Sequence, residues 1–127
     1  METYLFLNDY AGSTYEAVVE DIVANYQVSQ SFVDNYQILI AEVYRDGYEE
    51  SSYFLLIEKS TGGLFEVRGG HCSCYGFEGQ FEPASTSIEY LISEKAYFGS
   101  NEQVKTFIQC HLVNMIRYLK LKEIFEF

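Results

Sequence analysis

Two apolar stretches separated by a short turn, the first of them rich in β-branched residues, constrain the fold of this chain most strongly. Residues 37–44, QILIAEVY, and residues 51–58, SSYFLLIE, have the composition of strands. Between them, Asp46 and Gly47 tolerate the positive φ that a two-residue type I′ hairpin requires. Because parallel pairing would need a crossover of about a dozen residues or more, the two strands are predicted to pair antiparallel.

Two further strands are predicted to extend this hairpin into a meander. Residues 64–68, LFEVR, follow a glycine-containing turn and predict a third strand. Gly69 and Gly70 are expected to let the chain leave that strand through positive φ. Residues 75–81 then alternate aromatic residues with polar residues and glycine. This alternation predicts a fourth strand, which Pro83 is expected to end.

Three stretches carry helix start signals followed by apolar residues at helical spacing. The sequence STYE, with the hydroxyl of Ser13 at the cap, has capping-box spacing and predicts a helix over about 14–28. A second capping box at 86–89 predicts another helix that ends at Gly99. Ser100 is expected to cap the last helix.

This order of elements predicts the fold class. The chain is expected to be α+β, with an antiparallel meander sheet of three to four strands packed against one N-terminal and two C-terminal helices. The apolar residues 4–7, YLFL, are either a short strand or a lead-in to the first helix. A chain of 127 residues can bury a core without disulfides or metal, which favours a single domain over 1–127.

Negative charge is the strongest global signal. Nineteen acidic residues against eight basic ones give a net charge of −11. Residues 1–66 hold twelve acids and two bases (12 − 2, or −10), and residues 67–127 hold seven acids and six bases (7 − 6, or −1). Because an acidic surface repels phosphate backbones, nucleic acid is not expected as a partner. The same charge favours rapid encounter with a basic protein, although it also serves solubility alone.

Three features of the sequence lead us to expect a cytoplasmic protein. No run of about 18 apolar residues occurs, so no membrane-spanning helix is expected. The first residues, METYLFLNDYAGS, lack the basic leader and apolar core of a signal peptide. Three cysteines, an odd number, suit a reducing compartment in which they stay as thiols.

The predicted tip of the first hairpin is a candidate binding surface, because it combines tyrosines with acids. Tyrosine supplies contact area at low cost in rotamer entropy and is enriched at interfaces. The acids of the first helix could join the tip to form an acidic, aromatic face, although the tyrosines could equally cover the sheet of a solvated hairpin. The candidate residues are Tyr44, Asp46, Tyr48, Glu49, Glu50, Glu16, Glu20 and Asp21.

A histidine and two thiols between glycines, in the sequence GGHCSCYG, form a candidate metal or thiol site. Zinc takes four nitrogen or sulfur ligands, and the best available set is His71, Cys72, Cys74 and His111. One residue between the two cysteines departs from the usual structural zinc spacing, so the expectation is no cofactor, with zinc as the alternative. A nucleophilic cysteine is a second alternative, although the acidic surroundings raise a thiol pKa. The favoured interpretation is a structural turn whose sulfurs pack near His111.

The sequence HCSCYGFEGQFEP resembles a pattern found in small uncharacterised proteins of bacteria and their phages. The resemblance covers residues 64–83 and extends more loosely to the hairpin before them and the helix after them. This chain has Phe77 where leucine is usual, Phe81 where tryptophan is usual, and Ala84 where an acid is common. The resemblance implies a phage or prophage accessory setting, and it implies no particular activity.

Taken together, these features favour a non-enzymatic protein-interaction module of an inhibitor-like kind. Its expected partner is a host or rival protein with a basic surface. The alternatives are a zinc-binding protein built on the His-Cys-x-Cys segment and a cysteine-dependent enzyme. No carboxylate pair can be singled out as catalytic among nineteen acids.

Overall fold

The computed structural model describes residues 4–45, 49–72, 76–77, 79–93, 102–108 and 110. Within them lie five strands and four short helices. The strands are β1 (Leu5–Asn8), β2 (Tyr36–Arg45), β3 (Glu49–Glu58), β4 (Leu64–Cys72) and β5 (Ala84–Thr86). The helices are α1 (Tyr15–Tyr26), α2 (Gln30–Val33), α3 (Ile88–Leu91) and α4 (Glu102–Phe107). The chain divides into two compact units, one of Glu2–Ser85 and one of Thr86–Phe127 together with Met1.

The predicted antiparallel hairpin is confirmed. Strand β2 pairs antiparallel with β3 from Tyr36↔Glu58 to Arg45↔Glu50, with an irregularity between Ile38 and Ile40. Strand β3 pairs antiparallel with β4. The predicted two-residue turn at Asp46 and Gly47 is wrong, because Arg45 pairs with Glu50 and four positions, 46–49, separate these partners. Asp46 and Gly47 themselves lie outside the described residues.

The prediction of a purely antiparallel meander of three to four strands is wrong. The sheet has five strands in the order β1-β2-β3-β4-β5, and β1 pairs parallel with β2 from Leu5↔Ile40 to Asn8↔Val43. Parallel pairing is possible here because α1 and α2 lie between these two strands in sequence and supply the long crossover that it requires. The YLFL run is therefore a strand rather than a lead-in.

The expected course of the chain after residue 68 is also wrong. Strand β4 does not end at the glycine pair, since Gly69 pairs with Ser52 and Gly70 with Ser51. Neither glycine is among the described residues with positive φ. Phe77 and Phe81 are buried but outside strands, because a turn with Gly79 at φ +75° interrupts the alternation. Pro83 does not end a strand, as predicted, but directly precedes strand β5.

The first helix is confirmed with a corrected cap. Thr14, not Ser13, caps α1 by accepting a hydrogen bond from the backbone N–H of Ala17 at 3.1 Å. The helix ends at Tyr26, and its C-cap residue Gln27 adopts the left-handed conformation at φ 55°. The following helix α2 was not predicted, because four residues are too short to show a helical period.

The second capping box is also shifted by one residue. Ser87, rather than Thr86, caps α3 and accepts from the N–H of Tyr90. The prediction that this helix continues to Gly99 is wrong, because α3 ends at Leu91 with Ile92 as its C-cap. Gly99 and the expected cap Ser100 lie outside the described residues. None of the described helices is long and apolar enough to cross a membrane.

Helix α1 packs on one face of the sheet. Its apolar positions Val18, Ile22 and Tyr26 join Val43 and Phe54 in the buried core. Successive strand residues point to opposite faces, so Ile40, Leu55 and Ile57 belong to the other face, and they are buried as well. Burial on both faces explains why the ILIA and FLLI runs lack polar alternation.

Candidate functional site

The outer face of α1 carries two exposed carboxylates. The helical period that buries Val18, Val19 and Ile22 turns Glu16 and Glu20 to the opposite side, where both are exposed. They are four residues apart and therefore neighbours on the helix surface. Among the described residues, no lysine or arginine forms an ion pair with either of them. Their charge is available to an external cation.

Asp21, the third acid of α1, is in a different state. Its Oδ2 accepts hydrogen bonds from the Tyr10 hydroxyl at 2.5 Å and from Arg45 Nη2 at 3.2 Å. Its Oδ1 accepts from Asn25 Nδ2 at 2.7 Å. Three donors satisfy this half-buried carboxylate, so Asp21 holds parts of the fold together instead of standing free for a partner.

Arg45 connects α1 with the end of the β2–β3 hairpin. Its Nε lies 3.6 Å from Glu50 Oε2, while its Nη2 lies 3.2 Å from Asp21. Burial lowers the pKa of Arg45, but the charge of Asp21 and its hydrogen bond outweigh that effect and raise the pKa above its ordinary value. The guanidinium is therefore a permanent cation shared by two carboxylates that are distant in sequence.

Two other hairpin residues of the predicted binding set, Tyr44 and Glu49, lie on the opposite face of the sheet. Tyr44 pairs with Ser51 and is 51% exposed, and Glu49 is exposed beside it on the same face. Asp46 and Tyr48 lie outside the described residues. The structure thus brings Asp21 and Glu50 together on the α1 side of the sheet and separates them from Tyr44 and Glu49.

A second ionic group on the opposite face was missed in the sequence. Glu66 is buried, and its Oε2 accepts from the Tyr53 hydroxyl and from Arg68 Nη2, each at 2.8 Å. The Arg68 guanidinium also lies over the Tyr53 ring, 4.9 Å from its centroid. Only the β3–β4 register, in which Tyr53 is opposite Arg68, brings these residues together. Because the buried carboxylate is matched by two donors, we interpret this group as structural.

Two buried hydroxyls lie beneath α1 without full hydrogen bonding. Tyr26 is fully buried and Ser52 nearly so. Burial raises the pKa of Tyr26, and its interaction with the Ser52 hydroxyl opposes this only in part. Among the described residues, neither hydroxyl finds a partner with good hydrogen-bond geometry. The two groups approach each other but leave much of their hydrogen-bonding capacity unused.

Replacing Tyr26 by phenylalanine should leave stability near neutral pH unchanged or raise it, because removing an unsatisfied buried hydroxyl removes its desolvation cost. Burial also raises the pKa of Tyr26 and of Tyr10, so the folded chain keeps protons that the unfolded chain loses. The stability linked to these groups is complete below about pH 10 and is lost as the pH rises further. Tyr26→Phe should therefore flatten that alkaline loss by about 1.4 kcal/mol per pH unit. Urea unfolding at several alkaline pH values would measure it.

Tyr10→Phe is the matched control for this variant. It should flatten the alkaline loss in the same way, but it should cost about 1 kcal/mol or more near neutral pH because it removes a donor from Asp21. Equal losses for Tyr10→Phe and Tyr26→Phe near neutral pH would contradict the assignment of an unsatisfied hydroxyl to Tyr26.

The candidate metal segment is only partly described. The backbone of β4 continues through His71, which pairs with Glu50, and Cys72, which pairs with Glu49. The remaining candidates Cys74 and His111 lie outside the described residues. Within the described part of the chain, no three metal-ligating residues gather at one point. The zinc site and the reactive thiol therefore stay predictions.

Comparison with protein-family models, with curated proteins and with solved structures gave no match to this chain. The resemblance to the small phage and bacterial proteins likewise stays a prediction.

Proposed function

We propose that this protein is a non-enzymatic interaction module that binds a protein with a basic surface. The contact region is the α1–hairpin surface, which we define by Glu16, Glu20, Asp21, Arg45 and Glu50. Its outward charge comes from Glu16 and Glu20, while Asp21, Arg45 and Glu50 form its ionic border with the sheet.

The observation that carries the proposal is the imbalance of charge in the unit Glu2–Ser85. Its described residues include eleven acids and only three bases, namely Arg45, Lys59 and Arg68. Arg45 and Arg68 are both occupied by internal carboxylates. Among the described residues, no base forms an ion pair with the exposed acids Glu16 and Glu20. Such a surface attracts a cationic partner and accelerates encounter with it.

The biological setting that we propose is a phage or prophage accessory protein in the bacterial cytoplasm. The support is the resemblance of residues 64–83 to small proteins of that setting. In that setting the basic partner is a host or rival protein, and binding would act by covering its surface. The excess of acid in the unit Glu2–Ser85 supports a basic partner independently of this setting.

Charge reversal on α1 tests the proposal. The variant Glu16→Lys with Glu20→Lys replaces two exposed negative charges by positive ones on one helix face. We expect the affinity for a partner captured from bacterial lysate, then purified and titrated, to fall by about tenfold or more at low salt, because attraction becomes repulsion. The difference between wild type and variant should shrink at high salt.

The matched control reverses the same number of charges elsewhere in the unit. Asp34 and Glu82 are exposed and lie outside α1, so Asp34→Lys with Glu82→Lys changes the net charge equally. This control should bind within about threefold of wild type. Equal losses in both double variants would indicate non-specific attraction to net charge, and unchanged binding of the α1 variant would refute the proposed surface.

A further inference from the structure

Four separate elements meet at the ionic border of the α1–hairpin surface. Tyr10 comes from the segment after β1, Asp21 from α1, Arg45 from the end of β2 and Glu50 from the start of β3. The Asp21 carboxylate holds Tyr10 and Arg45 on one oxygen and Asn25 on the other. Arg45 extends this group to the start of β3, through its 3.6 Å contact with Glu50.

We propose that Arg45 is a positioning residue for the α1–hairpin surface: it holds the end of the β2–β3 hairpin against α1 and fixes the spacing between the helix acids and Glu50. This inference rests on the proposed function, since the spacing matters only if the surface binds a partner. Arginine suits the role because its planar, forked guanidinium directs separate N–H groups at two carboxylates. A lysine has a single ammonium group on a flexible stem and would hold the two acids less rigidly.

The partial burial of the three side chains makes the contact more than an incidental surface pair. The side chains of Arg45, Asp21 and Glu50 are 31%, 27% and 23% exposed. Solvent and salt screen such half-buried charges less than fully exposed ones. The register adds to the restraint, because Arg45 and Glu50 are direct cross-strand neighbours.

Positioning and simple charge attraction make opposite predictions for the removal of Arg45. The variant Arg45→Met makes the surface more negative by one charge. If net charge alone determined binding, this variant would bind a basic partner more tightly. If Arg45 positions the surface, binding weakens although the negative charge increases.

The experiment uses a lysine-rich peptide designed as a stable helix, with lysines four residues apart to match Glu16 and Glu20. Titrated with the full-length chain, Arg45→Met should bind this peptide about three- to tenfold more weakly than wild type. The matched control is Arg68→Met, which removes the same charge from the ion pair with Glu66. It should bind as tightly as wild type or slightly more tightly.

Hydrogen exchange provides a readout that does not depend on the peptide. Amides at 44–45 and 49–51 should exchange faster in Arg45→Met than in Arg68→Met, while those of the central β2 residues 38–41 should be equal. Arg45→Lys keeps the charge, so a charge-only role predicts wild-type binding, whereas positioning predicts weaker binding. This variant also decides the question if Arg45→Met fails to fold.

Two outcomes separate this inference from the proposed function. If the α1 charge reversal abolishes peptide binding while Arg45→Met and Arg45→Lys bind at least as tightly as wild type, the positioning role is overturned and the function stands. If the α1 charge reversal itself leaves peptide binding unchanged, the proposed function fails first.

Discussion

Replacing Phe54 by alanine should lower the free energy of unfolding by about 3–5 kcal/mol. Phe54 is fully buried at the centre of β3, the middle strand of the sheet. Its ring lies 6.1 Å from that of Tyr10, 5.7 Å from that of Tyr26 and 5.6 Å from that of Phe81. Removing it leaves a cavity bounded by strands that cannot collapse without breaking their pairing. We expect a lower urea midpoint with a similar slope.

Phe32→Ala is the matched control for this loss. Phe32 also contacts Phe81, with ring centroids 6.2 Å apart, but it lies on α2 and is 36% exposed. Its removal should cost clearly less, because water already reaches the ring and can fill the space. Similar losses for the two variants would contradict the view that Phe54 is the centre of the aromatic core.

The hairpin was predictable because its signals are local. Two apolar runs with an Asp-Gly pair between them predict two strands and their antiparallel pairing within about 22 residues. Helix α1 was predictable for the same reason, since its apolar positions repeat within its own length. Its cap is Thr14 and not Ser13. The sequence does not distinguish the two, because adjacent hydroxyl residues both satisfy the capping pattern.

The parallel strand β1 and the path of β4 depend on distant residues. Nothing within YLFL shows that it pairs with Ile40 and Val43, more than thirty residues away. Close packing of neighbouring residues, and not a positive φ, explains why glycine occupies position 69. A sequence pattern shows that a glycine is present, but it does not distinguish a positive φ from a crowded neighbour.

The candidate surface likewise has one feature that the sequence shows and one that depends on contacts between distant residues. The excess of acid in the first half of the chain is a property of composition and could be read directly from the sequence. Which acids are free depends on Arg45, whose guanidinium reaches Asp21 across 24 positions of the chain. The sequence pattern therefore predicts an acidic region, but it groups Asp21 and Glu50, which contact Arg45, with Glu16 and Glu20, which form no ion pair among the described residues.

Replacing Gly69 by alanine should destabilise the fold by about 1–3 kcal/mol or more. A Cβ at this position would lie 2.6 Å from Ser52 Oγ and 3.2 Å from both Phe77 Cδ1 and Gln80 Oε1. Ser52 is the direct cross-strand partner of Gly69, and Phe77 stacks on Tyr26 with centroids 4.9 Å apart. To relieve the crowding, the Ser52 hydroxyl would have to rotate away, Phe77 would have to shift on its stack with Tyr26, and Gln80 would have to weaken the hydrogen bond that it accepts from the Gly70 N–H at 2.7 Å.

Gly70→Ala is the matched control one residue along the same strand. Within the described part of the chain, its Cβ would meet the backbone oxygen of Glu50 at 3.7 Å and nothing closer, which is an ordinary contact. We expect stability within about 1 kcal/mol of wild type, with a gain possible because alanine loses less backbone entropy than glycine on folding. Thermal and urea unfolding of the two variants side by side would measure the contrast.

Ser52→Ala should restore much of the stability lost in Gly69→Ala. Alone, it removes a poorly bonded buried hydroxyl and should be nearly neutral. Together with Gly69→Ala, it removes the atom that the new methyl group would approach most closely, so the double variant should be at least about 1 kcal/mol more stable than additivity requires. If the two changes are additive, the crowding does not come from Ser52. If Gly69→Ala and Gly70→Ala cost the same, close packing does not explain the glycine at position 69.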